Sequence, residues 1–379
     1  MRRLLLSVAA AVLLVAGLTA PASAAPLVAV TAAPAGQGIS GQYIITLKKG
    51  ASISAAVSRS HSSPLYRYGK VLNGFAAKLS SAQLTRLRSD SSVAAIEEDG
   101  VMKIDTTQSN PPSWGLDRID QRPLPLSASY TYTSTGSSVY AYVIDTGIYT
   151  SNSDFGGRAT VAYDALGGNG QDCNGHGTHV AGTIGGTSYG VAKSVRLRAV
   201  RVLNCSGSGT NSQVIAGMNW VATNHVNPAV ANMSLGGGYS SSVNSAANNL
   251  ANSGVFLAVA AGNSGANACN SSPSSAANVT AVAASSRTDS KPSWSNYGSC
   301  VTLYAPGVDI VSDYLSGTAT LSGTSMASPH VAGVAALYKA TYGNASYSTI
   351  RSWLISNATT GAITNNPSGT PNRLLYSGL

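Results

Sequence analysis

An α/β fold with a doubly wound, mostly parallel sheet and helices on both faces is predicted for most of this chain, preceded by a small α+β domain. From residue 114 onward, short Val-rich apolar runs alternate with helix-like stretches. Continuous apolar strands indicate a sheet covered on both faces, and the intervening helices provide the crossovers that parallel strands need. Apolar residues make up 44% of the 379 residues and charged residues 10%, so a large core is expected and extensive disorder is excluded.

The formal net charge of +9 is spread along the chain rather than gathered in one basic region. Residues 1–105 contain 11 Lys and Arg against 5 Asp and Glu, and residues 106–379 contain 12 against 9. No basic run occurs in the second part, so we expect no nucleic-acid partner.

Residues 1–24 have the pattern of a secretory signal peptide. Arg2 and Arg3 precede an apolar stretch over residues 4–18, and small residues follow up to Ala24. A membrane anchor is the alternative, but the stretch is short for a bilayer core of about 30 Å. We therefore expect a secreted, extracellular monomer with no membrane association after signal removal.

The region that follows resembles a linker and then a compact domain. Residues 25–41 are small, punctuated by Pro and Gly, and aperiodic, which is typical of a linker. Residues 42–105 alternate between strand patterns at 43–47, 74–79 and 93–97 and helix patterns at 50–60 and 81–87, the second helix capped by Ser81. This order over about 60 residues predicts a small α+β domain of ferredoxin-like type.

Residues 106–379 form the larger domain, which opens with a polar, Pro-rich break at 106–113. Strands are predicted at 139–144, 197–203, 230–234, 255–260 and 279–284, and helices at 174–186, 211–224, 241–252 and 325–340. In such sheets, ligands bind beyond the carboxyl ends of the strands. Reactive side chains at those ends are therefore candidates for function.

All four cysteines lie in this larger domain: Cys173, Cys205, Cys269 and Cys300. An even number of cysteines in an exported chain predicts disulfides, and four thiols allow three connectivities. Zinc ligation is the alternative, but the sequence has no CxxC pair to support it.

Three segments place a reactive side chain at a strand end or a helix start. Asp145 ends a buried strand, His176 lies at a glycine-rich helix start, and Ser325 lies at the start of another helix. Free backbone N–H groups at such a start suit a developing oxyanion. Together, the three side chains can act as nucleophile, general base and orienting carboxylate.

The helix that begins near Ser325 has further features. Pro329 is expected in its first turn, where N–H groups lack intrahelical partners, and Ser328 and His330 at surface or packing positions. Ala327 replaces the second glycine of the G-x-S-x-G elbow, which disfavours an esterase or lipase.

The order of the three residues and the segments around them carry a family resemblance. Asp, His, Ser is the order of subtilisin-type enzymes. Three segments resemble the active-site blocks of subtilisin-like serine proteases: VIDTGI (143–148), NGHGTHVAGTIGG (174–186) and SGTSMASPHVAGVAA (322–336). Two more, NMSLGGGYSSSVN (232–244) and AVAAGN (258–263), resemble the substrate-binding blocks of the proteinase K branch. The layout of the four cysteines and the C-terminal PSGTPNRLLY (367–376) are most similar to aqualysin-type members. Residues 42–105 resemble the inhibitory propeptide of that family.

The resemblance implies a serine endopeptidase that is made as a self-processed zymogen and acts on protein and peptide substrates. Its own propeptide would be an intramolecular inhibitor, cut between Asp105 and Thr107. Asn263 would donate to the oxyanion together with the Ser325 N–H. Two extended edges and a roomy, uncharged primary pocket that favours aromatic and aliphatic side chains would bind substrate through Gly207, Ser208, Gly209, Ser234, Leu235, Gly236, Ala260 and Gly262.

The resemblance also implies cross-links and a cation. The disulfides would be Cys173–Cys205 and Cys269–Cys300. An N-terminal structural calcium site would use Asp117, Asp120, Gln121, Ser127 and Ser129, an oxygen-only ligand set that suits a hard cation. A second calcium site of the family would be absent or weak, because Thr302 stands where a carboxylate is used.

Two other function classes remain as alternatives. An exported esterase with the same three residues is disfavoured by the missing elbow and by the peptide-binding blocks. A non-enzymatic binding protein derived from this fold is disfavoured because Asp145, His176, Asn263 and Ser325 are all present.

Overall fold

The structure is a computed structural model that describes residues 26–33, 38–70, 72–100 and 106–379. The expected signal peptide and Asp105, one side of the expected cleavage region, lie outside these residues. The chain divides into two compact units, Met1–Met102 and Lys103–Leu379. Among the described residues, no helix combines the length and apolar character needed to cross a membrane.

The first unit is a five-stranded sheet with two helices. Its strands are β1 (Val30–Thr31), β2 (Gly38–Leu47), β3 (Pro64–Tyr68), β4 (Gly74–Lys78) and β5 (Val93–Gly100), in the order β1-β5-β2-β4-β3, and its helices are α1 (Ile53–Ser60) and α2 (Ser81–Arg88). All strand pairs are antiparallel except β1 with β5. Ile45, Phe75 and Ile96 from adjacent strands are fully buried with Leu87 of α2 and form the core.

Three details of this unit differ from the sequence-based expectation. Strand β1 and the start of β2 lie within the segment expected to be a linker, and β3 was not expected. The cap of α2 is Ser80 rather than Ser81. Ser80 and Gln83 form a capping box, in which each side chain accepts a hydrogen bond from the backbone N–H of the other residue.

The second unit contains fifteen strands and six α-helices among its described residues. The strands are β6 (Thr106–Ser109), β7 (Ser129–Tyr132), β8 (Tyr140–Asp145), β9 (Ala159–Asp164), β10 (Arg196–Arg201), β11 (Ala229–Met233), β12 (Gly237–Gly238), β13 (Phe256–Ala260), β14 (Ser271–Ser272), β15 (Thr280–Ser285), β16 (Leu303–Pro306), β17 (Ile310–Tyr314), β18 (Gly317–Leu321), β19 (Thr359–Thr360) and β20 (Arg373–Leu374). The helices are α3 (Trp114–Ile119), α4 (His176–Gly185), α5 (Asn211–Asn224), α6 (Ser241–Asn252), α7 (Thr324–Tyr342) and α8 (Tyr347–Asn357).

The central sheet of this unit has nine strands in the order β19-β20-β16-β15-β13-β11-β8-β10-β9. Every pair in it is parallel except β19 with β20. Val143 of β8 belongs to a core cluster that contains residues of α4, α7 and α8 on one face, whereas its neighbour Ile144 belongs to a cluster that contains residues of α5 and α6 on the other. The predicted doubly wound α/β fold is therefore confirmed.

Parallel strands bring several chain segments to one edge of this sheet. Asp145 is the last residue of β8, Ser234 directly follows β11, and Ala261 directly follows β13. Because the carboxyl ends of parallel strands share an edge, these three positions lie on the same side of the sheet.

Candidate active site

A buried carboxylate and an imidazole form the firmest contact of the site. Asp145 is fully buried, and its Oδ1 lies 2.7 Å from His176 Nδ1 and accepts from the Thr146 N–H at 2.7 Å. The His176 side chain is 27% exposed. A proton on Nδ1 is held by the carboxylate, so Nε2 is left as the basic nitrogen of the neutral ring.

The start of α4 is built to hold His176 in this place. Gly175 has a φ of 106°, and a Cβ there would collide with the Tyr314 ring. Asp172, which is buried, accepts the Gly175 and Thr178 N–H groups on its two oxygens, each at 2.9 Å. A carboxylate at a helix N-terminus is stabilised by the helix dipole. Asp172 thus fixes the helix end that carries the imidazole.

The pKa of His176 reflects two opposing effects. Burial of the ring disfavours its charged form and lowers the pKa. The charge of Asp145, its hydrogen bond to the ring and the more distant charge of Asp172 together raise the pKa above its ordinary value. The imidazole is therefore a better proton acceptor than a free histidine.

Ser325 is the second residue of α7 and therefore lies in the first turn of that helix. Its hydroxyl donates to the Ser234 carbonyl at 3.0 Å, and no hydrogen bond joins it to His176 in the described part of the chain. Bonds between catalytic groups are often long or unformed in ligand-free structures. The structure thus joins Asp145 to His176 and places Ser325 with its hydroxyl bonded to Ser234.

Pro329 does not lie in the first turn of α7, so the position predicted for it from the sequence is wrong. Because α7 begins at Thr324, Pro329 is its sixth residue and lies beyond the first turn. Its missing N–H is the one that would bond the Ser325 carbonyl, four residues earlier. Ser328 and His330 are fully buried, which confirms the packing position expected for them and not the surface position.

Asn263 is held so that its amide group faces the same space as the Ser325 N–H. Its Oδ1 accepts from the Thr324 N–H and Oγ1, both at 2.8 Å, which leaves Nδ2 as the free end. A Cβ built on Gly323 would lie 3.5 Å from Asn263 Nδ2 and 3.6 Å from the Ser325 nitrogen. Two N–H donors therefore flank one small space, as a developing oxyanion requires.

Two adjoining cavities surround these groups and share the segment 234–237. The first, of about 420 Å³, is lined by His176, the loop 207–209 and apolar side chains such as Val214. The second, of about 270 Å³, is lined by Ala260, Gly262, Asn263 and Ser325 among others. All the expected substrate-binding residues thus line one or both cavities, and among the described residues neither cavity wall contains Asp, Glu, Lys or Arg.

Both expected disulfides are confirmed. Cys173 is bonded to Cys205 and Cys269 to Cys300, with Cα–Cα distances of 5.0 and 5.3 Å. The first bridge ties the loop before His176 to the segment before Gly207, and the Asn174 amide reinforces it by donating to the Cys205 carbonyl at 3.0 Å. No described cysteine is free.

The expected calcium ligands lie together near the start of the second unit. The Asp117 carboxylate accepts from the Ser127 and Ala128 N–H groups, the Gln121 Oε1 also accepts from Ser127 N–H, and the Ser127 and Ser129 hydroxyls are 2.7 Å apart. Within the described ranges, no group of three or more His, Cys, Asp or Glu side chains converges on a metal-sized space.

Asp120 is the one of these residues whose environment points to a cation. Its Oδ2 accepts from the Thr131 N–H at 2.7 Å, but its buried Oδ1 has no hydrogen-bond partner among the described residues. Burial, followed by the charge of Asp117, raises the pKa of Asp120 to about 6. An orphaned carboxylate oxygen among oxygen-only neighbours fits a hard cation, whereas Thr302 has no carboxylate to offer at the second family site.

Sequence reasoning missed several residues that support the site. Asp172 could have been found as an acidic residue just before a glycine-rich helix start, which is a capping signal. Thr324, Asn232 and Ser328 carried no such signal. Thr324 bonds a residue 61 positions away along the chain, and Asn232 and Ser328 bond each other across 96 positions.

Comparison with known proteins places this geometry in a family. Residues 136–375 match the subtilase family, and residues 42–105 match the peptidase inhibitor I9 family. The chain is 53% identical to an extracellular serine proteinase of Thermus sp. (strain Rt41A), over 82% of this chain and 77% of that protein. It is 44% identical to proteinase R of Parengyodontium album, over 90% of each chain.

A solved structure agrees with these matches. The crystal structure of a cold adapted subtilisin-like serine proteinase has a TM-score of 0.69 and 52% identity, covering 70% of this chain and 97% of that one. The chain therefore belongs to the subtilase family and is a serine endopeptidase with an I9-type propeptide.

Proposed function

We propose that this chain is a secreted endopeptidase of broad specificity that releases itself from its own propeptide. The observation that carries the proposal is the 2.7 Å contact between Asp145 and His176 at the strand edge that also holds Ser325 and Asn263. The apolar stretch over residues 4–18 supports export of the chain, and we propose that the mature protein acts as a monomer.

In the proposed reaction, Ser325 is the nucleophile. Its Oγ turns from the Ser234 carbonyl to His176 Nε2, which removes the proton as Oγ attacks the peptide carbonyl carbon. Asp145 stabilises the imidazolium, and Asn263 Nδ2 and the Ser325 N–H stabilise the oxyanion. The imidazolium then protonates the leaving amine as the peptide C–N bond breaks, which leaves an acyl group on Ser325. In the second half, His176 removes a proton from water as the water oxygen attacks the acyl carbon, and it returns a proton to Ser325 Oγ as the ester bond breaks.

The specificity proposal rests on the two cavities. A substrate in extended form would add a strand between the segments 207–209 and 234–236, so backbone hydrogen bonds would supply much of the affinity. Ala260, Gly262 and Gly236 leave room for a large side chain, and none of the described lining residues carries a negative charge that would bind Lys or Arg. We expect aromatic and aliphatic side chains at P1, and a peptide library that showed a clear preference for basic P1 residues would overturn this.

The self-processing proposal rests on the I9 match to residues 42–105. A parallel sheet with many non-local contacts folds slowly, and a secreted protease must stay inactive in its producer. A propeptide that assists folding and blocks the cleft serves both needs. Cleavage between Asp105 and Thr107 would release it.

Calcium is proposed at the N-terminal loop only. The ion would be held by Asp117, Asp120, Gln121, Ser127 and Ser129, and its positive charge would keep the half-buried Asp120 ionised. Its role would be structural. Removal of calcium with a chelator should lower the melting temperature of the mature protein, and Asp120→Asn should weaken that dependence.

One experiment tests the function against its alternatives. Wild-type protein should clear casein, and both phenylmethylsulfonyl fluoride and His176→Ala should abolish clearing. Ser325→Ala should accumulate as an uncleaved precursor, whereas Ser346→Ala, which changes only a helix cap, should mature normally. Ester hydrolysis without casein clearing would favour the esterase, absence of both activities would favour the binding protein, and spontaneous maturation of Ser325→Ala would refute self-processing.

A further inference from the structure

A buried polar chain lies behind the nucleophile, between strand β11 and helix α7. Asn232 and Ser328 are fully buried and Ser234 is 3% exposed. Their neighbours in β11 are Ala231 and Met233, both fully buried and apolar. Polar groups in such surroundings are destabilising unless each is hydrogen-bonded, so their arrangement is under strict geometric control.

The bonds of this chain run in a single direction. Ser328 Oγ donates to Asn232 Oδ1 at 2.6 Å, and Asn232 Nδ2 donates to Ser234 Oγ at 2.9 Å. Ser234 Oγ donates in turn to the Ser325 carbonyl at 2.6 Å. An amide oxygen and a carbonyl oxygen can only accept, so each hydroxyl proton has one assignment and the chain has no alternative order.

Pro329 explains why the chain ends on Ser325. In an uninterrupted helix the N–H of residue 329 would bond the Ser325 carbonyl, but proline has no N–H. The Ser234 hydroxyl takes that place from outside the helix. A serine within a helix commonly bonds the carbonyl four residues earlier, whereas Ser328 reaches across to Asn232 instead.

We propose that Asn232 and Ser328 are positioning residues for Ser325, acting through Ser234. The hydrogen bonds fix residue 328 of α7 to strand β11 and residue 325 to Ser234, which directly follows that strand. It thereby sets where the Ser325 N–H and Oγ lie relative to Asn263 and His176. The proposal rests on the nucleophilic role of Ser325 proposed above. Neither Asn232 nor Ser328 lines the substrate cavities, so their loss should act on kcat rather than on KM.

The test compares Ser328→Ala with a matched control in the same unit. The control is Ser275→Ala, which breaks another bond between a buried amide and a serine hydroxyl, from Asn244 Nδ2 to Ser275 Oγ at 2.9 Å. Proteins are produced from the full chain and purified after maturation, and the rate of precursor cleavage is recorded as a second measure.

Ser328→Ala should lower kcat for a peptide substrate by roughly 10- to 100-fold, because displacements near 1 Å cost about that much in rate, with KM within about two-fold. The rate of modification by phenylmethylsulfonyl fluoride should fall in parallel. Ser328→Thr, which keeps a hydroxyl, should recover most of the loss, and Ser275→Ala should keep the wild-type kcat.

Three results would overturn the proposal. They are a destabilised Ser328→Ala with wild-type kcat, an equal loss of kcat in Ser275→Ala, and no recovery in Ser328→Thr. If Ser328→Ala yields no folded protein, Ser328→Cys decides, because the thiol donates weakly: an intermediate kcat supports the proposal and a wild-type kcat rejects it. Failure of the proposed function is a different result, in which the wild-type protein resists the sulfonyl reagent and Ser325→Ala leaves peptide cleavage unchanged.

Discussion

The N-termini of α4 and α7 both lie at the candidate active site, but they differ in how many of their backbone N–H groups are hydrogen-bonded within the protein. At the start of α4, the N–H groups of Gly175 and Thr178 are bonded to Asp172, that of His176 to the Asn174 side chain, and that of Gly177 to the Thr146 hydroxyl. Each of these four N–H groups, which have no acceptor within the helix, therefore donates a hydrogen bond to a side chain of the protein.

At the start of α7, only part of this bonding is present. The Thr324 N–H is bonded to Asn263, and the Met326 N–H to the Gly323 carbonyl. The Ser325 N–H faces the space beside Gly323 instead. In the mechanism proposed above, the first helix start uses a carboxylate to position the base, whereas the second is left open for the oxyanion that forms only during the reaction.

The largest effect on kcat is expected at Asn263, whose Nδ2 is the second donor beside the Ser325 N–H. Asn263→Leu keeps a similar volume but removes Nδ2, so kcat should fall by about 10²–10³ with little change in KM. Steady-state kinetics on a peptide substrate measures this, with the exposed Asn249→Leu as the control. A rise in KM with unchanged kcat would show that Asn263 binds the substrate rather than the oxyanion.

At the start of α4, loss of the Asp172 carboxylate should change both the stability of the protein and the pH dependence of its activity. In Asp172→Asn, an NH₂ group replaces one acceptor oxygen among donors, so the free energy of unfolding should fall by about 2–3 kcal/mol. Asp172 raises the pKa of His176, so its neutralisation lowers that pKa. The acidic limb of kcat/KM should therefore move to lower pH, and a limb that stays in place or moves upward would contradict the assigned role.

Much of this arrangement was accessible from sequence, and the rest was not for identifiable reasons. The bounds of α5 and α6 agree with the predicted 211–224 and 241–252 because both have clear caps and apolar periodicity. Strand β3 was missed because its residues are mostly exposed and lack the apolar alternation of a half-buried strand.

The candidate site shows the same division. Asp145, His176 and Ser325 were recognisable because a reactive side chain at a strand end or glycine-rich turn has a local signature. The Asn232–Ser328 bond joins residues 96 positions apart, and the sequence around neither residue indicates that the other is its partner. The misplacement of Pro329 has a similar origin, since it depended on a helix start that only the fold determines.

The far end of α4 provides a contrast with Asp172. A Cβ on Gly186, just after α4, would collide with Asp154 Oδ2 and lie 2.9 Å from Asp313 Oδ2. Asp313 is 2% exposed, and its Oδ2 has no partner among the described residues. Burial and the neighbouring Asp154 raise the pKa of Asp313 to about 8, although Asn152 and Arg158 oppose this. A carboxylate at a helix C-terminus also faces the unfavourable end of the dipole.

Asp313 should therefore make stability fall as pH rises. The folded chain keeps a proton on Asp313 that the unfolded chain releases above pH 4, so the unfolding free energy decreases between about pH 4 and 8. Asp313→Asn should remove this slope and raise stability at pH 9, by at most about 6 kcal/mol because each pH unit between the unfolded and folded pKa is worth about 1.4 kcal/mol. Denaturant unfolding of the mature protein, inhibited to prevent self-digestion, measures it. The exposed Asp309→Asn should leave the slope intact, and an unchanged slope in Asp313→Asn would reject the assignment.

The smallest effect is expected at Thr324, which orients Asn263 without reaching the oxyanion space. Its Oγ1 donates to Asn263 Oδ1 at 2.8 Å and accepts from the Gly262 N–H at 3.0 Å. Thr324→Val removes both bonds but leaves the backbone bond from residue 324 to Asn263, so kcat should fall by only about ten-fold, about 1.4 kcal/mol. Thr341→Val in the same helix is the matched control, because the Thr341 hydroxyl has no partner among the described residues. If Thr324→Val were as damaging as Asn263→Leu, the open start of α7 would depend on the threonine hydroxyl as much as on the amide, and the contrast with the fully bonded start of α4 would lose its basis.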